Sequence, residues 1–145
     1  MRRTEYFANA RDPGTLTVPQ LMQDVVVTVG PQTNARTVAE LLAEGNFGSV
    51  PVVEEDRTLV GLVSEFDLLG AMDQAKDIRT ITAADVMTRD VVTVTEDLPV
   101  KDLIHLLQER HLIRVPVVRG KTLIGIVARR DIVFGYVKAT AKYWP

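Results

Sequence analysis

The sequence predicts a mixed α/β (α+β) protein built from two tandem copies of one β-α-β-β-α repeat. The first observation is a motif, residues 22–29, that returns 65 residues later as residues 87–94. The second is the segment Val-Pro-Val-Val, which begins at Val50 and again, at the same spacing, at Val115. Repetition in a fixed order predicts one structural unit used twice, with the copies packed about a pseudo-two-fold axis.

Each copy opens on a strand followed by a helix. Residues 26–29 and 91–94 are rich in valine and threonine, which predicts a short buried strand in each copy. The apolar residues that follow, Val38, Leu41 and Leu42, have the spacing of one helical face. The matching residues of the second copy are Leu103, Leu106 and Leu107.

Two further strands and a closing helix complete each copy. Residues 50–53 and 59–63 predict strands, because both are short apolar segments separated by a polar loop. A closing helix is expected to begin near Glu65. The matching segments of the second copy are residues 115–118 and 123–127, with a helix from near Arg129.

The repeat sets the expected domain boundaries. A single copy of about 55 residues buries too little surface to be comfortably stable, so we expect the two copies to fold together. Pro13 and Gly14 break any helix in the segment before the first copy. We expect an N-terminal arm over residues 1–16, repeats over 17–72 and 83–140, a linker over 73–82 and a C-terminal tail over 141–145.

Composition excludes several classes of function. The 145 residues contain no cysteine, which excludes disulfides, cysteine-ligated zinc and a thiol nucleophile. The formal net charge of −2, from 17 basic and 19 acidic residues, argues against non-specific nucleic-acid binding. No apolar segment approaches the roughly 20 residues that span a bilayer, and no secretory signal begins the chain. We therefore expect a cytoplasmic protein without a membrane partner.

The repeated motifs resemble the CBS domain, named after cystathionine β-synthase, and a tandem pair of these domains forms a Bateman module. The resemblance rests on the Val-Val-Thr-Val and Val-Pro-Val-Val segments, on Gly-Leu-Val-Ser-Glu-Phe-Asp at 61–67 and on Gly-Ile-Val-Ala-Arg-Arg-Asp at 125–131. It covers roughly residues 17–140, so the chain resembles a stand-alone module. It implies a regulatory protein, not an enzyme, in which AMP, ADP, ATP or S-adenosylmethionine binds between the paired repeats.

The resemblance also implies which residues bind the ribose. Asp67 and Asp131 match the aspartate that accepts hydrogen bonds from the two ribose hydroxyls, and Ser64 matches the hydroxyl of the Ser/Thr-x-x-Asp motif. Ala128 departs from that motif in the second copy. The alternative is purely structural, since a serine three residues before an acidic residue is also a helix N-terminal capping box.

Two arginines match the basic positions that, in the family, reach phosphates bound in the partner repeat's site. They are Arg114 and Arg130, whereas the first copy has the uncharged Ser49 and Phe66 at the same positions. The resulting hypothesis is that the Asp67 site binds nucleotide phosphates and the Asp131 site is weak, empty or nucleoside-selective. The alternative is that both arginines are solvated surface charges.

An apolar slot for the adenine base is expected beside the first strand of each copy, although apolar strand residues are core by default. The candidates are Val26, Val27, Phe47 and Pro51 in the first copy and Val91, Val92, Ile113 and Pro116 in the second.

Catalysis and metal binding find no support in the sequence. It contains no phosphate-binding glycine loop, and His105 and His111 are six residues apart, which differs from the spacing of a helical metal pair.

Three aromatic residues lie near the C-terminus: Tyr136, Tyr143 and Trp144. They either pack on their own domain or form an interface with another protein. The resemblance implies a homodimer that pairs through the closing helices and regulates an unidentified protein. The rival interpretation is a scaffold protein with degenerate, ligand-free clefts.

Overall fold

The computed structural model describes residues 15–141, which divide into two compact units. Unit 1 comprises residues 15–26, 92–120 and 124–141, and unit 2 comprises residues 27–91 and 121–123. The expected N-terminal arm falls outside the described residues except for Thr15 and Leu16. Most of the expected C-terminal tail, including Tyr143 and Trp144, also lies outside them.

The elements confirm the mixed α+β class. Each repeat contributes a helix, two strands and a closing helix in the predicted order. In chain order the elements are α1 (Val18–Leu21), α2 (Ala35–Gly45), β1 (Ser49–Val53), β2 (Leu59–Ser64), α3 (Glu65–Asp73), α4 (Ala83–Val86), β3 (Val94–Thr95), α5 (Val100–Glu109), β4 (Arg114–Arg119), β5 (Thr122–Ala128) and α6 (Arg129–Thr140).

Unit 2 packs α2 and α3 against an antiparallel pair, β1 and β2, in which Val50 lies opposite Val63. Helix α2 begins after Asn34, whose side chain accepts a hydrogen bond from the Arg36 amide at 2.9 Å. Apolar residues of both helices and both strands form one core, because their buried faces converge. Its buried members include Val38, Leu42, Val50, Val52, Val63 and Leu68.

Unit 1 repeats this arrangement around a three-stranded sheet ordered β3-β4-β5. Strand β3 pairs with β4 in parallel, with Val94 opposite Val117. The core again joins both helices to the strands, and its buried members include Leu103, Leu107, Val115, Val117, Val127 and Ile132.

The two histidines lie in and after helix α5 of unit 1. His111 takes a left-handed conformation (φ 53°) after α5, as Asn46 does (φ 52°) after α2 in unit 2. His105 is exposed and lies 3.4 Å from the Glu109 carboxylate, one helical turn away. Among the described residues, no group of three or more histidine, aspartate or glutamate side chains is placed to hold a metal ion.

The strands predicted to open each copy are much shorter than expected, and this prediction was wrong in extent. In the first copy only Val29 pairs, through a bridge to Val52, and in the second the strand begins at Val94. Residues 26–28 and 91–93 form no strand. Val27 is exposed, so these valines do not all face a core, and valine content alone overstated the strand.

The first residues of each copy pack in a way that the repeat pattern did not predict. Helix α1 lies at the start of the first copy, and it contributes Val18 and Leu21 to the core of unit 1. Gln23 exchanges two backbone hydrogen bonds with Ile126 of β5, at 2.8 and 2.9 Å. In unit 2, Thr88 exchanges two such bonds with Leu62 of β2, both at 2.9 Å.

The same segments contact a glycine in each unit. Met22 lies against Gly125 in unit 1, and Met87 lies against Gly61 in unit 2. A glycine is needed where another segment approaches the backbone this closely.

Among residues 15–141, no helix combines the length and the apolar character that crossing a membrane requires.

Candidate functional site

Asp67, a candidate ligand residue of unit 2, lies in the first turn of α3. Its Oδ2 atom accepts hydrogen bonds from the Ser64 amide at 2.9 Å and from the Ser64 hydroxyl at 3.0 Å. The Ser64 hydroxyl oxygen in turn accepts a hydrogen bond from the Asp67 amide at 3.1 Å. This is a reciprocal capping box, so Ser64 and Asp67 do cap α3, a role that is compatible with ligand binding.

A third residue also holds the Asp67 carboxylate. The hydroxyl of Thr88 donates to its other oxygen, Oδ1, at 3.1 Å. The backbone pairing between Thr88 and Leu62 of β2 places this hydroxyl beside the start of α3. Asp67 therefore has both oxygens positioned and remains half-buried, which leaves a carboxylate of fixed orientation with some access to solvent.

A cavity of about 210 Å³ adjoins Asp67 in unit 2. Gly70 lines this cavity, and no atom lies within 4 Å of where a Cβ on Gly70 would point. Lys76 and Asp85 also line it. Hydrogen bonds from the Thr82 amide and hydroxyl lower the pKa of Asp85, with a smaller contribution from the charge of Lys76.

The matching site of unit 1 is built differently. Asp131 accepts a hydrogen bond from the Ala128 amide at 2.9 Å through Oδ2, but Ala128 supplies no hydroxyl. The Asp131 side chain is only 5 % exposed. Asp131 is therefore less accessible than Asp67, which is only partly buried.

Arg114 lies in unit 1 with Asp131. Burial lowers the pKa of its guanidinium, and the negative charge of Asp131 opposes that effect. The arginine therefore partly compensates the buried carboxylate of its own unit. Arg130 is exposed at the start of α6. The prediction that these two arginines bind phosphates at the Asp67 site stays a prediction.

The predicted base-slot residues divide between the units and differ in exposure. Pro51 and Pro116 are buried within strands, where they serve as core, and Phe47 and Val92 pack against the core of their own unit. Val27 and Ile113 are exposed and available to a ligand. Unit 2 holds Val27, Phe47, Pro51 and Val91, and unit 1 holds Val26, Val92, Ile113 and Pro116.

Sequence reasoning missed Thr88. It is 21 residues from Asp67 along the chain, so no local pattern connects them. The available indication was the repeat itself, since Thr88 falls within the recurring motif of residues 87–94.

The chain matches the CBS domain family over residues 18–74 and again over residues 83–138. An uncharacterized protein of Methanopyrus kandleri is 33 % identical over 121 residues, which is 81 % of this chain. The chain spans only 61 % of that relative's length.

Two solved structures are also similar. CBSX2, crystallised in complex with AMP, is 30 % identical with a TM-score of 0.77, and the match covers 86 % of this chain and 98 % of that one. The CBS domain pair of protein MJ0100, in complex with 5′-methylthioadenosine and S-adenosyl-L-methionine, is 28 % identical with a TM-score of 0.72. That match covers 83 % of this chain and 99 % of the other.

Proposed function

Because the chain belongs to the CBS domain family and carries two copies in tandem, we propose that it is a regulatory module that binds an adenosine ligand. The proposed ligands are AMP, ADP and ATP. The similarity to CBSX2, which was crystallised with AMP, supports this ligand class. The proposed role is regulation of another protein in the cytoplasm, without catalysis by this chain.

The observation that carries the proposal is the fixed carboxylate of Asp67. A cis-diol such as that of ribose offers two hydroxyl donors, and a carboxylate with both oxygens oriented can accept both. Ser64 and Thr88 hold those oxygens before any ligand arrives. Such preorganisation lowers the entropic cost of binding.

We propose Arg114 and Arg130 as the phosphate-binding residues, since a guanidinium pairs with two phosphate oxygens at once. The buried Asp131, compensated by the charge of Arg114, supports a weaker second site. A ligand regulates this protein only to the extent that it binds one conformation better than another.

A thermal-shift panel tests the proposal with AMP, ADP, ATP, S-adenosylmethionine and adenosine. At about 100 times its dissociation constant, the cognate ligand raises the free energy of unfolding by about 2.7 kcal/mol. We expect this increase in the wild type and in Asp131→Ala, and its loss in Asp67→Ala.

Asn34→Ala is the matched control for that panel. The Asn34 side chain caps α2 by accepting a hydrogen bond from the Arg36 amide, so its loss weakens a helix start in the same unit as the loss of Asp67 does. The ligand increment is read against each variant's own ligand-free melting temperature. A panel that stays flat with every ligand contradicts the proposal and favours the scaffold interpretation.

S-adenosylmethionine is the second candidate ligand, and the complex of MJ0100 with that compound favours it. Its recognition uses the same ribose-binding carboxylate, so the two candidates differ only beyond the ribose. In the panel, a shift with S-adenosylmethionine and none with the three nucleotides assigns the site to it.

We also propose that the protein is a homodimer. Helix α3 exposes Phe66 (82 %), Leu69 and Met72 at a spacing of three residues, which places them along one face. Helix α6 exposes Val133 and Val137, one helical turn apart. Covering such faces stabilises an assembly, and two-fold dimers are the commonest closed form. Light scattering at micromolar concentration should give twice the chain mass, and a monomer mass contradicts the proposal.

A further inference from the structure

The closing helix of unit 2, α3, has a face that combines apolar and acidic side chains. Leu69 lies in the middle of this face and is exposed. Glu65 and Asp73, the first and last residues of α3, are each one turn away from Leu69 and are also exposed. Residues one turn apart lie on the same side of a helix, so this face is apolar in the middle and negative at both ends.

The closing helix of unit 1, α6, has the same layout with a different charge. Arg129, Val133 and Val137 follow one another at the spacing of one turn, and all three are exposed. In the repeat, Arg129 occupies the position of Glu65, and Val137 occupies that of Asp73. Equivalent faces of the two units therefore differ in the sign of their charge.

The charged groups of both faces have no partner within the described chain. Among residues 15–141, the side chains of Glu65, Asp73 and Arg129 form no ion pair and no side-chain hydrogen bond. Their charges are therefore available to a second molecule that covers the apolar side chains between them.

Pairing two identical α3 helices would bring like charges together. In a parallel pair Glu65 lies beside the partner's Glu65, and in an antiparallel pair it lies beside the partner's Asp73. Both arrangements are repulsive. Pairing α3 with α6 has the opposite result, because Arg129 meets the partner's Glu65 if the helices are parallel and the partner's Asp73 if they are antiparallel.

The sizes of the apolar side chains favour the same pairing. The α3 face carries the long side chains of Phe66 and Met72 beside Leu69, whereas the α6 face carries Val133 and Val137. Interfaces pack closely where large side chains meet small ones. Two α3 faces would place bulk against bulk, and two α6 faces would leave gaps between the valines.

Building on the homodimer described under the proposed function, we propose that its interface joins unlike helices. The acidic, bulky face of α3 in each copy packs on the basic, valine-lined face of α6 in the other. Two-fold symmetry makes this contact twice in the dimer. Since α3 begins with the capping box that holds Asp67, a ligand at Asp67 would act directly on unit 1 of the partner subunit.

Cysteine cross-linking tests this pairing, because the chain contains no cysteine of its own. Leu69→Cys and Val133→Cys are matched variants, since both residues are exposed and occupy equivalent positions of the repeat. The two are coexpressed with tags of different size, purified and oxidised, and a disulfide requires Cα atoms within about 7 Å. We expect the cross-link between the two variants and its loss when either variant is expressed alone.

The oligomeric state separates failure of the pairing from failure of the homodimer. A wild-type protein that is monomeric by light scattering overturns both. A dimer in which Leu69→Cys or Val133→Cys alone cross-links as well as the mixture, or in which the mixture gives no cross-link, overturns the pairing and leaves the homodimer.

Charge reversal gives a second, independent readout in sedimentation velocity. We expect Arg129→Glu to weaken the dimer by about fivefold for each of its two symmetric contacts. Adding Glu65→Arg or Asp73→Arg to the same chain should restore the affinity, and the one that does so shows whether the helices are parallel or antiparallel. Arg36→Glu is the control, because Arg36 is an exposed arginine in the first turn of α2. Equal weakening by Arg36→Glu, or no recovery with either added substitution, contradicts the pairing.

Discussion

We expect Leu21→Ala to lower the free energy of unfolding by about 2–5 kcal/mol, the usual cost of truncating a fully buried leucine. Leu21 has no exposed surface and lies in the core of unit 1. A four-residue helix such as α1 cannot persist without tertiary contacts, so the loss includes the docking of the whole helix. Urea denaturation followed by circular dichroism measures the change.

Hydrogen exchange shows which unit loses stability in that variant. Because Leu21 packs in unit 1, amide protection should fall in α5, β4 and α6 more than in α2 and β1. Val25→Ala is the control, since Val25 is 89 % exposed and its truncation should change stability by no more than about 0.5 kcal/mol. Protection lost mainly in α2 and β1 would contradict the assignment of α1 to unit 1.

The repeat in the sequence predicted the order of elements because each element has its own local pattern. The face formed by Val38 and Leu42 specifies α2, and the continuous apolar segment from Val50 specifies β1. The capping box of Ser64 and Asp67 was equally predictable, since its members are three residues apart.

Contacts between distant segments were not predictable in this way. Helix α1 reaches the core beside Leu103, about 80 residues later in the chain, and no local periodicity encodes that pairing. The same holds for the Thr88 hydroxyl at Asp67 and for the charge of Arg114 beside Asp131. These contacts set the geometry of the candidate site. The sequence could therefore predict which residues belong to the site, but it could not predict which of them contact one another.

We expect Gly125→Ala to lower the free energy of unfolding by about 1–3 kcal/mol, because the added methyl group would overlap neighbouring atoms. A Cβ there would lie 2.6 Å from the Met22 sulfur and 2.9 Å from the Gln23 carbonyl oxygen. The methionine side chain can rotate away. The carbonyl cannot, because Gln23 is fixed by two backbone hydrogen bonds to Ile126.

Gly61 provides the matched comparison in unit 2. A Cβ at Gly61 would lie 2.4 Å from the Met87 sulfur, but the nearest backbone atom, the Thr88 oxygen, is 3.1 Å away. Most of that overlap is with a flexible side chain, which can adopt another rotamer. Gly61→Ala should therefore cost less than Gly125→Ala.

Gly70→Ala separates the steric effect from the general effect of replacing glycine. Gly70 is inside α3 with open space around its Cα, so alanine should stabilise the helix by up to about 1 kcal/mol. Urea denaturation of the three variants should then rank Gly70→Ala as most stable, Gly61→Ala as intermediate and Gly125→Ala as least stable. If Gly125→Ala were as stable as the wild type, the segment from Met22 to Gln23 could not lie against β5 as described. The assignment of α1 to unit 1 would then fail with it, because Gln23 is the backbone link between α1 and that sheet.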